Sequence, residues 1–171
     1  YYVDREKLKI FGIEDVLENM YKDAIEIART VADETNTLLA GNIGQSNIWK
    51  PDDKEAEKRT IAIFEEQVGW IKESNVDFVI AETISYFEEA RLVLEEIKKA
   101  GLPAVINLAL VPEGVLRDGV KPEDACQRLV DLGADVVGLN CYRGPGTMLS
   151  HLKDITKKVP TNVAALPVAY H

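Results

Sequence analysis

One unit recurs five times along this chain: an amphipathic helix, a turn that contains Gly or Asn, and a short strand rich in Val, Ile, Leu and Ala. The predicted helices span residues 13–34, 53–73, 86–100, 121–132 and 147–158, and the strands that follow them span 38–43, 77–82, 104–108, 135–141 and 163–168. Uninterrupted alternation of this kind is typical of α/β proteins with parallel strands. Because no low-complexity linker breaks it, we expect residues 1–171 to form a single domain.

Five units leave two architectures open, since a closed (β/α)8 TIM barrel needs eight strands and about 250 residues. The chain is either an open doubly wound sheet or strands three to seven of such a barrel, with further strands beyond both ends. Polar residues at successive strand ends favour the barrel, where they would converge on one face. They are Asn42, Gln45, Glu82, Asn107, Asn140, Cys141, Tyr170 and His171. No Gly-rich phosphate loop follows a strand, which weakens the doubly wound alternative.

Composition excludes several classes of partner. The chain has 20 Lys and Arg against 29 Asp and Glu, a net charge of -9, which argues against nucleic acid because phosphate binding needs a basic surface. No apolar stretch approaches the roughly 20 residues that span a bilayer, and no signal peptide opens the chain, so no membrane partner is expected. Two cysteines are too few for a disulfide framework. We expect a cytoplasmic protein that acts on small molecules, and a homo-oligomer is left open.

Two cysteines have different surroundings in the sequence. Cys141 ends a buried strand, where its thiolate would bind zinc or act as a nucleophile, with Arg143 nearby to favour the charged form. The alternative is a buried structural cysteine. Cys126 shares a helix face with Ala125, Leu129 and Val130, so we expect it in the core.

Glu82 ends the apolar run 78–81, where a carboxylate is costly without a partner. It would bind a substrate ammonium group or act as a base, or else cap the following helix. The aromatic pair Tyr1 and Tyr2 would hold a cationic ligand by cation-π attraction, unless it is only a frayed terminus. We interpret Glu65–Glu66 and Glu88–Glu89 as solvated helix faces.

Seven segments, in order along the chain, together resemble the homocysteine S-methyltransferase family, and most of all its betaine-homocysteine branch. The set covers essentially the whole sequence, which makes the ordered combination specific although no single motif is. The segments are residues 2–8, 27–33, 40–41 with Gln45, 76–82, 112–114, 138–141 (Gly-Leu-Asn-Cys) and 167–171 (Pro-Val-Ala-Tyr-His).

The resemblance implies a (β/α)8 barrel that holds zinc on three cysteine thiolates, of which Cys141 matches the first. It implies that Glu82 holds the homocysteine amino group, and that Tyr2 packs on the cationic methyl donor. Asn140, beside Cys141, is expected to contact substrate. The family's adjacent cysteine pair and its Gly-Asp-Gly segment are not found in this sequence. The remaining zinc ligands are therefore expected outside this segment.

The function that we expect is zinc-dependent methyl transfer from betaine or a related onium donor to homocysteine, giving methionine. S-methylmethionine or methyl-folate would be alternative donors within the family. A barrel that binds without a metal and has lost catalysis is the non-enzymatic alternative. A metal-free lyase or aldolase would need a lysine at the end of a strand. None of the predicted strands ends on a lysine, which argues against this alternative.

Overall fold

The computed structural model describes residues 3–169 and contains five parallel strands, each preceded by a helix. The strands are β1 (Ala40–Ile43), β2 (Phe78–Ile84), β3 (Ala104–Leu108), β4 (Val136–Asn140) and β5 (Asn162–Leu166). The helices are α1 (Arg5–Ile10), α2 (Leu17–Thr35), α3 (Lys54–Glu73), α4 (Phe87–Lys99), α5 (Pro122–Asp131) and α6 (Pro145–Lys158), with a 3₁₀ turn at Glu14–Val16.

All five predicted helix-strand units are present, and three helices differ from expectation. Helix α2 begins at Leu17 instead of residue 13, because a 3₁₀ turn occupies Glu14–Val16. The sequence did not predict α1, which begins where the Asp4 side chain accepts a hydrogen bond from the Lys7 backbone N–H. Helix α6 begins at Pro145, two residues before the predicted start, because proline is favoured in the first turn of a helix.

The strands are ordered β1-β2-β3-β4-β5, and every neighbouring pair is parallel. A doubly wound sheet reverses its strand order at a switch point, whereas a (β/α)8 barrel adds each strand beside the last. The sequential order therefore supports the barrel and rules out the doubly wound alternative for the described residues.

The core lies between the outer face of the sheet and the helices. On β2, Val79 and Ala81 are fully buried, and Ile106 on β3 and Val137 on β4 are equally inaccessible. The residues on β2 and β3 pack against the apolar face of α4, and Val137 on β4 packs against α5 and α6. The opposite face of the sheet is left to carry the polar residues at the carboxyl ends of the strands.

Strands β4 and β5 approach each other closely at Gly138. A Cβ atom at this position would come within 2.0 Å of the Ala164 carbonyl oxygen, which belongs to backbone and cannot easily move. Only glycine fits here, two residues before the end of the strand that carries Asn140.

The structure confirms one of the burial predictions and corrects another. Cys126 is fully buried on α5, and burial raises the pKa of its thiol to about 12. The interpretation of Glu88–Glu89 as a solvated face is wrong for Glu89, which is 2% exposed. Its Oε1 accepts hydrogen bonds from the Ser46 N–H (2.6 Å) and Oγ (2.7 Å), because this turn of α4 faces the loop after β1.

No helix within residues 3–169 combines the length and the apolar character needed to cross a bilayer.

Candidate active site at the carboxyl edge of the sheet

The carboxylate of Glu82 is held between two asparagine side chains from other strands. Asn42 on β1 donates from Nδ2 to Glu82 Oε1 at 2.8 Å, and Asn140 on β4 donates from Nδ2 to Oε2 at 3.3 Å. Each carboxylate oxygen thus accepts one neutral N–H and retains room for a second donor. Glu82 is only half-buried, so its remaining acceptor positions are available to a ligand.

Asn140 also fixes the irregular end of β2. Its Oδ1 accepts from the Thr83 N–H at 2.8 Å, and its Nδ2 lies 2.8 Å from Thr83 Oγ1. Thr83 has φ +61°, and the register between β2 and β3 shifts between Ala81 and Ile84. A β-branched residue is strained at positive φ, so the two bonds from Asn140 hold the backbone next to Glu82 in a conformation that it would not adopt alone.

The helix-capping alternative for Glu82 is wrong. Helix α4 begins at Phe87, whose N–H donates to Asp118 Oδ2 at 2.8 Å. The N-cap residue Tyr86 makes no side-chain cap. The carboxylate that caps the start of the helix is therefore that of Asp118 on the β3–α5 loop, and Glu82 belongs to the polar cluster.

Cys141 follows Asn140 directly and lies in a strained turn. Its φ is +59° and that of Tyr142 is +53°, two successive left-handed residues without a glycine. The Cys141 N–H still donates to the Leu166 carbonyl on β5 at 3.0 Å, which fixes the residue to the sheet before the chain turns away. Its thiol is free and half-buried, so Cys141 is not the fully buried structural cysteine of the alternative interpretation.

Arg143, two residues after Cys141, is held by the backbone of a neighbouring loop. Its Nη2 donates to the carbonyls of Val111 (2.6 Å) and Pro112 (2.8 Å). The guanidinium thus ties the β4–α6 loop to the β3–α5 loop. Its expected influence on the Cys141 thiol stays a prediction.

Among the other strand-end residues, only some join this cluster. Asn107 lies on the same face between β2 and β4, is 1% exposed, and its amide atoms have no hydrogen-bond partner within the described residues. Gln45 bonds instead to Asn47 in its own loop. Tyr2, Tyr170 and His171 lie outside the residues that the structure describes.

Two partners in the cluster were not assigned a role from the sequence. The sequence marks Asn42 only as a strand end and assigns no role to Thr83. The signal for Asn42 is a polar residue between Gly41 and Ile43 in a short strand, at a position that faces away from the helices. Thr83 gives no comparable signal, because its role depends on its backbone conformation.

The donor set for a metal ion is incomplete within this part of the chain. No group of three His, Cys, Asp or Glu residues close enough to hold a metal occurs among residues 3–169. Structural and catalytic zinc sites need three or four protein ligands. Cys141 fits as one sulfur ligand, and the described residues alone do not form a zinc site.

Solved structures of a homocysteine methyltransferase share the fold of this chain. The metallated form of the homocysteine methyltransferase MmuM from Escherichia coli superposes with a TM-score of 0.81 at 16% identity, over 96% of this chain and 63% of that one. Its apo form gives a TM-score of 0.73 at 17% identity, over 86% and 58% of the two chains. These likenesses support the partial barrel inferred from strand order.

Sequence comparison identifies nearer relatives. Betaine–homocysteine S-methyltransferase 1 from Xenopus laevis is 37% identical over 153 residues, which are 86% of this chain and 37% of that protein. S-methylmethionine–homocysteine S-methyltransferase from Pongo abelii is 36% identical over 144 residues, which are 82% of this chain and 39% of that protein. The chain therefore spans less than half the length of these two relatives. A sequence model described as homocysteine S-methyltransferase matches residues 1–170, and the chain belongs to that family.

Proposed function

We propose that this protein transfers a methyl group from betaine or a related onium donor to the sulfur of homocysteine, giving methionine. Membership of the family supports the reaction class, and the relatives named above act on homocysteine with betaine or S-methylmethionine as donor. The observation that carries the proposal is the Glu82 carboxylate, oriented by Asn42 and Asn140 at the carboxyl edge of the sheet.

In this proposal Glu82 binds the ammonium group of homocysteine. An ammonium carries three N–H donors, and each oxygen of Glu82 already has one of its acceptor positions occupied by an asparagine. The two amides thus fix the direction in which the carboxylate can receive the substrate. A hydrogen bond to a charged group contributes about 1.5 to 3 kcal/mol, which is enough to position the amino-acid end of the substrate.

Asn140 is proposed to support this contact and to line the substrate site beside it. Its two bonds to Thr83 and its bond to Glu82 make it the link between β4 and the end of β2. A change at Asn140 would therefore alter the position of Glu82 even if Asn140 made no contact with substrate.

Cys141 is proposed as one thiolate ligand of a zinc ion. Family membership and the half-buried free thiol at the strand end support this assignment. When bound, zinc would keep a coordinated thiol ionised near neutral pH. The described residues supply only this one ligand, so the steps that follow from the geometry belong to Glu82, Asn42 and Asn140.

The methyl donor is proposed to be betaine or a related onium compound. The alternatives to betaine within the family are S-methylmethionine, which is itself a sulfonium compound, and methyl-folate. Tyr2 is the residue proposed to pack against the donor cation, a contact worth about 2 kcal/mol when the ring is desolvated. A cytoplasmic location is proposed with it, in keeping with substrates that are soluble small molecules.

The test is a methionine-formation assay on the full-length protein with each of the three donors, alongside metal analysis by mass spectrometry. The proposal predicts methionine from homocysteine with betaine or a sulfonium donor, and about one zinc per chain. Activity only with methyl-folate would replace the donor assignment. Absence of methionine with every donor, in a folded protein that contains zinc, would refute the proposed reaction.

A further inference from the structure

A cavity of about 530 Å³ lies between the β3–α5 and β4–α6 loops, beside the candidate active site. Leu110 and Val111 line one side, and Tyr142 and Arg143 line the other, with Arg117 also facing the space. Tyr142 follows Cys141 directly in the chain, which brings the cavity next to the strand end that carries the thiol. Within residues 3–169, no Asp or Glu lines it.

The two arginines of this cavity differ from most others in the chain. Four arginines outside it form ion pairs with carboxylates: Arg5 with Glu66, Arg59 with Glu6, Arg91 with Glu88 and Glu95, and Arg128 with Glu88. A chain with 29 acidic residues offers many such partners. The cavity therefore concentrates positive charge in a protein whose net charge is strongly negative.

Arg117 and Arg143 both retain unused hydrogen-bond donors. The Arg117 guanidinium has no side-chain hydrogen bond or ion pair with any residue between 3 and 169, and only its backbone N–H is used, to Ser85. Arg143 spends Nη2 on two carbonyls, while its Nε is buried without a partner in the same part of the chain. Because Nη1 of Arg143 makes no hydrogen bond within residues 3–169 either, it is the donor that remains for an acceptor in the cavity.

We propose that this cavity binds the carboxylate group of a substrate, with Arg117 and Arg143 as its donors. A carboxylate supplies two acceptor oxygens, which match the planar donor set of a guanidinium. The identity of the ligand rests on the proposed function. Homocysteine and betaine each carry one carboxylate, so the chemistry of the site is shared by the two substrates and the experiment has to separate them.

The binding test follows the Nε–H signals of isotope-labelled arginine side chains by nuclear magnetic resonance in the full-length protein. Acetate serves as a minimal carboxylate, and homocysteine and betaine are compared with aminopropanethiol and choline, which lack the carboxylate. Acetate is expected to shift the signals of Arg117 and Arg143 and to leave that of Arg59 unchanged. Whichever substrate shifts them, while its carboxylate-free counterpart does not, is the one that uses the site.

The matched variants are Arg117→Gln, Arg117→Lys and Arg59→Gln, because Arg117 is exposed and its replacement should leave the fold intact. Loss of a charge-assisted contact predicts about ten- to a hundredfold weaker binding of that substrate in Arg117→Gln. Arg117→Lys should recover part of the loss because it keeps the charge, and Arg59→Gln should bind as the parent does.

The outcomes distinguish this inference from the proposed reaction. If acetate, homocysteine and betaine all leave the Arg117 and Arg143 signals unchanged, the carboxylate site is refuted whatever the activity. If acetate shifts both signals but the protein forms no methionine, the site stands and the proposed reaction fails. Equal weakening in Arg117→Gln and Arg59→Gln would show a general effect of charge and would overturn the site.

Discussion

Asn140 links the end of β2 to the turn after β4, yet the two regions are held in different ways. At Glu82, side chains from β1 and β4 fix the functional group through hydrogen bonds, and the strained Thr83 backbone is secured by Asn140. At Cys141, no side chain of residues 3–169 holds the thiol in this way, and the turn is held by backbone hydrogen bonds and by Arg143 two residues later. The carboxylate is therefore fixed by side chains from two other strands, whereas the thiol is positioned only through its backbone within this part of the chain.

This difference suggests a division of roles. A carboxylate that is already oriented can select the amino-acid end of a substrate without further change. A half-buried thiol in a left-handed turn is suited to coordinate a metal that supplies the missing constraint. Substitutions in the two regions should therefore have separable effects on substrate binding, metal content and stability.

The largest effect is expected from Cys141→Ala in the full-length protein. In the proposed site Cys141 is one of the zinc ligands, so its removal should abolish both zinc binding and methionine formation. With the metal removed from both proteins, the substitution should cost little stability because the side chain is only half-buried. Metal analysis and the methionine assay measure the two losses. Cys126→Ala is the control: it should keep zinc and activity and lower the free energy of unfolding by about 1 kcal/mol, since Cys126 is fully buried. Full activity in Cys141→Ala would remove the metal-ligand assignment.

An intermediate effect is expected from Asn140→Ala, and it should appear in stability as well as in binding. The substitution leaves the buried Thr83 N–H without its acceptor, which should lower the free energy of unfolding by about 1 to 3 kcal/mol. Asn42→Ala removes the other amide from Glu82 and should lower stability less, because Asn42 has no bond to Thr83. Urea denaturation of both variants makes the comparison. Equal destabilisation would show that Asn140 has no special role at the end of β2.

The smallest effect concerns Glu89, which is buried outside both regions. Burial raises the pKa of this carboxyl above its ordinary value of 4.5, opposed in part by the hydrogen bonds from Ser46. An acid with a raised pKa in the folded state contributes stability at low pH and loses that contribution as the pH rises through the folded pKa. Relative to Glu89→Gln, the parent protein should therefore gain stability as the pH falls from about 7 towards 4.5. A stability difference that does not change with pH would contradict the burial argument.

Much of the fold was predictable because it depends on local pattern. Neighbouring residues in the sequence determine the helix-strand alternation. They also determine the first turn of α5 at Pro122 and the apolar surroundings of Cys126. The polar strand ends and the missing Gly-rich loop favour a barrel, in which the strands lie in chain order, over a doubly wound sheet. The observed strand order confirms the barrel. Glu82 is also predictable from local pattern, because a carboxylate directly after an apolar run is unusual in the sequence.

The contacts that make the site could not be predicted in this way. Asn140 reaches Thr83 across 57 positions in the chain, and the contact depends on the register shift at the end of β2. The acidic pair Glu88–Glu89 predicts a solvated helix face, whereas the burial of Glu89 depends on how the loop after β1 packs on α4. Both features arise from tertiary geometry, to which helical and strand periodicity give no access.

The most direct test of the account is whether Glu82 recognises the amino group of homocysteine. Calorimetric titration would compare homocysteine with gamma-mercaptobutyrate, which lacks only the amino group, in the parent protein and in Glu82→Gln. The account predicts that the parent prefers homocysteine by about ten- to a hundredfold, and that Glu82→Gln loses this preference while binding the analogue as before. An unchanged preference for homocysteine in Glu82→Gln would contradict it.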